Sequence, residues 1–77
     1  MSSDDSSLYP HTARALLADN LRRLRAEKGW SQEELAAQSH LDRSFIAHVE
    51  RCARNISIDN VEKIATALSV PVASLFL

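Results

Sequence analysis

The stretch that decides the fold is SQEELAAQSHLDRSFIAHVER, residues 31–51, because two helix starts follow each other closely within it. Ser31 with Glu34 three residues later is a capping box, the sequence signature of a helix N-terminus. Asp42 is a second N-cap residue, since its short carboxylate can accept hydrogen bonds from the free N–H groups of a first turn. The pattern predicts two short helices joined by a turn at residues 39–41, which is the geometric core of a helix-turn-helix.

The two predicted helices have different faces. Small and apolar side chains are spaced to form a core that both helices share: Leu35, Ala36, Ile46 and Val49. A helical wheel of the second helix directs another set outward: Arg43, Ser44, Ala47, His48 and Arg51. These side chains suit the major groove of DNA, where a guanidinium donates to guanine, a methyl group contacts thymine, and hydroxyl or imidazole groups form hydrogen bonds.

Helical periodicity continues on both sides of this stretch. A first helix opens at Pro10 or Thr12, carries leucines at helical spacing and ends at Gly29. Ser57 caps a fourth helix, and Pro71 suits the first turn of a short fifth one. No segment of useful length alternates with period two, so no strand is predicted. The expected fold is all-α, a compact five-helix bundle that contains the helix-turn-helix.

Length and composition set further limits. A chain of 77 residues has room for one core, which we place in residues 12–77, whereas residues 1–11 lack periodicity and are predicted to be a disordered tail. The single cysteine, Cys52, excludes an internal disulfide and favours a reducing cytoplasm. No apolar run is long enough to cross a bilayer, so no membrane partner is expected.

The charge pattern is more informative than the net charge. A formal net charge of -1 counts against attraction of nucleic acid by bulk charge. Five basic residues nevertheless lie within residues 14–28, and three arginines lie within residues 43–54 against one glutamate. A protein with such local basic faces can bind DNA through the position of its cations.

Several motifs together resemble the Cro/repressor-type helix-turn-helix family of bacterial and phage regulators. The resemblance extends from Leu21 to Phe76 and rests on Ser31-Gln32, Leu35-Ala36, Ile46, Val49-Glu50 and Ala67-Leu68. Within the family, LDRSFIAHVER followed by RNIS is most similar to the controller proteins of restriction–modification systems. The resemblance implies a lambda-repressor-like fold and a homodimeric transcription regulator that binds a pseudo-palindromic DNA operator. Such a regulator is bacterial and is associated with the nucleoid.

The resemblance also implies roles for single residues. Base contacts are expected from Arg43, Ser44, Ala47 and His48 on the recognition helix. Contacts to the DNA backbone are expected from Gln32, Arg51, Arg54 and Asn55. Arg25 is expected to form a structural ion pair with Glu50. Relatives usually carry glycine at the positions of three residues that often need a left-handed backbone: His40, Cys52 and Ser69.

The apolar C-terminus has two interpretations. Its members could cap the core of the bundle or form a dimer interface, and both can hold in a small chain: Val72, Leu75, Phe76 and Leu77. Ile56 or Ile58 could extend the same surface.

Other chemistry has little support in the sequence. His48 and Cys52 are spaced as one pair of zinc ligands, but two ligands do not make a site, so no metal is expected. No glycine-rich phosphate loop and no catalytic constellation is evident, so no enzyme, cofactor or small-molecule ligand is predicted. The alternative function is a helical protein-interaction module, an adaptor or an antitoxin-like partner, with little DNA binding.

Overall fold

The computed structural model describes residues 12–52 and 55–77. The predicted tail, residues 1–11, and Arg54 lie outside the described residues. The described part contains four α-helices and a terminal 3-10 helix: α1 Ala13–Glu27, α2 Gln32–Ser39, α3 Arg43–Glu50, α4 Ile58–Leu68 and the 3-10 helix Val72–Phe76. The all-α prediction and the helix-turn-helix of α2 and α3 are confirmed.

The prediction of a fifth α-helix needs correction, because the last element is a 3-10 helix. Ser74 N donates to Pro71 O over 2.9 Å, which is the i→i+3 bond of the tighter helix. The backbone oxygen of Leu75 accepts from Asn20 Nδ2 on α1 at 2.9 Å. Short elements are readily set by such tertiary bonds, since five residues gain little from helical hydrogen bonding alone.

The predicted N-caps at Ser31 and Ser57 are formed, and Thr12 caps α1 in the same way. The hydroxyls of Thr12, Ser31 and Ser57 each accept a hydrogen bond from a backbone N–H of the following first turn. Asp42 occupies the N-cap position of α3 but makes no side-chain cap bond, which differs from the prediction. The capping box at α2 is half formed, because the carboxylate of Glu34 accepts from Gln38 Nε2 at 2.8 Å.

One hydrophobic core joins all the elements. Its fully buried members come from every helix and include Leu17, Leu21, Leu35, Ile46, Ile64 and Leu75. Apolar residues directly before the caps pack against this core, in the position of a hydrophobic staple: Trp30, Leu41 and Ile56. Because α3 packs on both α1 and α2, only a strip of its surface faces outward.

Three turns use a left-handed backbone without glycine. The φ angles of His40, Cys52 and Ser69 are 61°, 59° and 59°. These are the positions at which the family resemblance implies glycine. At the turn between α2 and α3, Leu41 N donates to Ala36 O at 2.9 Å, which closes the helix end and requires this conformation of His40.

The backbone at His40 gives a first prediction. Substitution His40→Gly should raise the free energy of unfolding by about 0.5–1 kcal/mol. Glycine adopts the left-handed backbone without the strain that a side chain causes. The greater conformational freedom of glycine in the unfolded chain cancels only part of this gain. Chemical denaturation of both proteins measures the difference. The matched control is Ala37→Gly, on the exposed face of α2, which should lower the free energy of unfolding by about 1 kcal/mol. Equal losses from both substitutions would contradict the prediction.

Candidate nucleic-acid interface

A buried carboxylate fixes the end of the recognition helix α3. Glu50, the last residue of α3, is only 3% exposed. Arg25 on α1 donates to both of its oxygens, from Nε at 2.8 Å and from Nη2 at 3.0 Å. The structure therefore brings together the ion pair that the resemblance implied, in the bidentate form that gives both attraction and orientation.

The same carboxylate also joins α2 to this pair. Gln32 Nε2, at the start of α2, donates to Glu50 Oε1 at 2.9 Å. Arg25 Nη1 donates to the backbone oxygen of Trp30 at 2.9 Å, just before α2. Arg22 on α1 donates to the backbone oxygen of Glu50. Three helices thus meet at one residue, and this fixes the angle at which α3 leaves the bundle.

Some features of the structure favour the predicted phosphate contact of Gln32, and another opposes it. One amide hydrogen of Gln32 is used by Glu50, which leaves the other free to donate to a ligand. The positive end of the α2 dipole favours an anion. However, Glu33 and Glu34 stand in the same first turn and weaken that attraction. A phosphate here would therefore be held by Gln32 and the free backbone N–H groups rather than by charge.

The outward strip of α3 carries most of the predicted base-contacting residues. Arg43 and Ser44 are exposed at its N-terminal end, and His48 is partly exposed one turn later. Arg51, just after the helix, is exposed as well. Among the described residues, no side-chain hydrogen bond or ion pair occupies Arg43 or Arg51, so both guanidinium groups can bind a ligand.

Ala47 differs from its predicted position on this strip. The helical wheel places its methyl group outward, yet the residue is only 8% exposed. An eight-residue helix that packs on two other helices has a narrow free surface. The methyl group of Ala47 lies between Arg43 and Arg51 and is too short to project beyond these longer side chains. The exposed position assigned to Ala47 was therefore wrong.

Sequence reasoning missed a contribution of α1 to this surface. Arg14 donates from Nη2 to Asn55 Oδ1, which orients the amide of Asn55 so that its N–H groups remain as donors. The backbone oxygen of Arg14 also lies 3.8 Å from the Sγ of Cys52. Because the family motifs begin at Leu21, only the cluster of basic residues at 14–28 could have indicated this role.

The C-terminal apolar set is divided between the core and the surface. Leu75 is 0% exposed and belongs to the core, so its assignment to a dimer interface was wrong. The 3-10 geometry directs Leu75 inward, and Phe76 packs partly on the core. Val72 remains partly free, while Ile58 and Leu77 are 72% and 85% exposed. Among the described residues, Ile58 and Leu77 are thus the most exposed large apolar side chains.

Comparisons with known proteins agree with this architecture. A model of the family described as "Helix-turn-helix" matches residues 21–75. The hypothetical transcription factor of Neisseria meningitidis is 53% identical over 64 residues, which are 83% of this chain and 60% of the relative. Control protein C.BamHI of Bacillus amyloliquefaciens is 45% identical over 58 residues, which are 74% of this chain and 72% of the relative.

Solved structures show the same similarity. The restriction-modification controller protein C.AhdI of Aeromonas hydrophila superposes with a TM-score of 0.79 and 48% identity, over 82% of this chain and 96% of that one. The Neisseria transcription factor gives a TM-score of 0.83 and 52% identity, over 86% of this chain and 76% of that one. The chain therefore shares its fold with a transcription factor and with a restriction-modification controller protein. The chain belongs to the helix-turn-helix family of transcription regulators.

Three further observations concern other functions. The names of these relatives are those of regulators and not of enzymes. Within residues 12–52 and 55–77, histidine, cysteine and acidic side chains form no group of three that could hold a metal ion. In the same part of the chain, every helix is too short or too polar to cross a membrane.

The Glu50 network gives a second prediction. Substitution Glu50→Ala should lower the free energy of unfolding by about 3 kcal/mol, because it leaves the guanidinium of Arg25 without its carboxylate in a mostly buried position. Thermal or chemical denaturation followed by circular dichroism measures the loss. The control is Glu27→Ala, which removes a surface ion pair with Arg23 and should change stability by less than about 1 kcal/mol. Similar effects of the two substitutions would show that the buried pair does not hold the bundle together.

Proposed function

We propose that this chain is a sequence-specific transcription regulator that binds DNA as a homodimer, and that it controls a restriction–modification system. The observation that carries the proposal is the exposed strip of Arg43, Ser44 and His48 on a helix whose end is fixed by the buried Glu50. A rigid helix with donors and acceptors on its free face can be inserted into the major groove. Because relatives include the controllers C.BamHI and C.AhdI, a controller role is the specific form of the proposal.

Contacts to the DNA backbone would fix the register of this helix. We assign them to Gln32 at the start of α2 and to Arg51 and Asn55 after α3, with Arg54 beside them in the sequence. Donors on both sides of a recognition helix hold it along the groove and carry no sequence information themselves. Since the chain acts on chromosomal DNA in this proposal, we place it at the bacterial nucleoid.

A dimer is required because one short helix reads few base pairs. Two copies related by a two-fold axis would place two α3 helices about 34 Å apart, in successive major grooves of a pseudo-palindromic operator. The exposed Ile58 and Leu77 supply the surface on which the copies meet. Phe76 and Ile56 border a hollow of about 330 Å³ beside Ile58, which an apolar side chain of the other copy can enter.

The third prediction tests base recognition. Substitution Arg43→Ala should weaken binding to the preferred duplex by about 1–3 kcal/mol and relax the preference at one base position in each half-site. Selection from random duplexes followed by affinity measurements with wild type and variant gives both quantities. Arg23→Ala is the control, because Arg23 is engaged with Glu27 and Asn20 on α1. An equal loss on all sequences would make Arg43 a phosphate contact.

The same measurements separate DNA binding from the alternative function of a protein-interaction module. The near-neutral charge and the exposed Ile58 and Leu77 are the features that favour this alternative. DNA affinity should fall steeply as salt rises, since bound counterions are released from the phosphates. If no duplex is preferred over random DNA at any salt concentration, the proposed function is wrong.

The fourth prediction concerns assembly. Substitution Ile58→Glu should convert a dimer into a monomer, because a charge replaces an apolar side chain whose burial contributes roughly 1.5–3 kcal/mol per subunit. The fold should persist, since a carboxylate is favourable in the first turn of α4. Sedimentation of both proteins measures the change, and Ala37→Glu on the exposed face of α2 is the matched control. A wild type that sediments as a monomer at high micromolar concentration would contradict the proposed dimer.

A further inference from the structure

The ring of His48 is held by a backbone hydrogen bond inside its own helix. Its Nδ1 lies 2.5 Å from the backbone oxygen of Ser44, one turn earlier. A carbonyl oxygen can only accept a hydrogen bond, so Nδ1 must be the donor. In the neutral ring the single N–H proton is therefore on Nδ1, and the tautomer is fixed by the helix backbone.

This bond determines what the other nitrogen can do. Nε2 of a neutral ring with its proton on Nδ1 is an acceptor only. The two ring nitrogens point away from each other, so Nε2 is directed away from the helix backbone. Within residues 12–52 and 55–77, no hydrogen bond to Nε2 is formed and no fully buried side-chain nitrogen lacks a partner, which means that Nε2 is open to solvent.

We propose that His48 is a specificity-determining residue that accepts a hydrogen bond from the exocyclic amino group of adenine or cytosine. This inference rests on the proposed function. In the major groove, adenine N6 and cytosine N4 are the donors, whereas guanine N7 and O6 and thymine O4 are acceptors. An acceptor at Nε2 is attracted by the amino groups of adenine and cytosine and is repelled by the acceptor atoms of guanine and thymine. His48 thus complements Arg43, whose guanidinium recognises acceptors.

The first experiment tests the tautomer without DNA. Long-range proton–nitrogen correlation spectra of the full chain, labelled with 15N at histidine, distinguish protonated from unprotonated ring nitrogens at about pH 8. The signals that disappear in His48→Gln belong to His48. We expect protonated Nδ1 and unprotonated Nε2. A ring protonated at Nε2 would overturn the inference, whatever the protein binds.

The second experiment tests base recognition. Duplexes are selected from a random pool at about pH 8 with wild type, His48→Gln and the control His40→Gln. At one position in each half-site, wild type and His40→Gln should prefer adenine or cytosine by about three- to tenfold. The side-chain amide of His48→Gln both donates and accepts, so this variant should lose the preference.

The outcomes separate this inference from the proposed function. If the wild type selects an operator and His48→Gln keeps the same preference at every position, the base assignment is wrong while the proposed function stands. If the wild type selects no sequence, the proposed function is wrong and the base assignment with it, and the spectra alone decide the tautomer. The ratio between bases is the measured quantity, so a general change of affinity in a variant does not affect the result.

Discussion

The structure depends on one buried carboxylate. Glu50 ends the recognition helix, and its two oxygens receive Arg25 from α1 and Gln32 from α2. A charged group that is 3% exposed is tolerated only when its hydrogen bonds are satisfied, so the three helices cannot shift independently without exposing or orphaning it. Apolar packing provides the stability of the bundle, whereas this network determines how the helices are oriented.

That orientation is what recognition of DNA requires. The functional strip of α3 begins at Arg43, seven residues before Glu50, whose side chain is held by the buried network. A short helix fixed at its C-terminal end and packed along one side presents its free side chains at defined positions. The left-handed turn at His40 fixes the N-terminal end of α3. The hydrogen bond from Leu41 N to Ala36 O closes this turn and restricts movement of α3 relative to α2. Preorganisation of this kind lowers the ordering cost when a groove is bound.

The fold could be predicted from the sequence to a large extent, because its signals are local. The caps at Ser31 and Ser57 and the apolar spacing around them depend on neighbours within one or two turns. The errors concern tertiary context. The 3-10 form of the last element follows from the bond between Asn20 and Leu75, which are far apart in the sequence. The burial of Ala47 depends on packing that a helical wheel does not contain. The role of Arg14 depends on the distant Asn55.

Under the proposed function, the distribution of cations explains why rigidity and a second copy would both be needed. All four arginines of α1 are engaged within the molecule. Arg14 donates to Asn55, Arg22 to Asp19 and Glu50, Arg23 to Glu27, and Arg25 to Glu50. In the described part of the chain, Arg43 and Arg51 are the arginines with free guanidinium groups. With a net charge of -1, one copy can neutralise few phosphates, so we expect a low affinity for non-specific DNA. Discrimination must then come from directed hydrogen bonds at base edges, and these are effective only when the helix is held in place and when a second copy doubles the number of bases contacted.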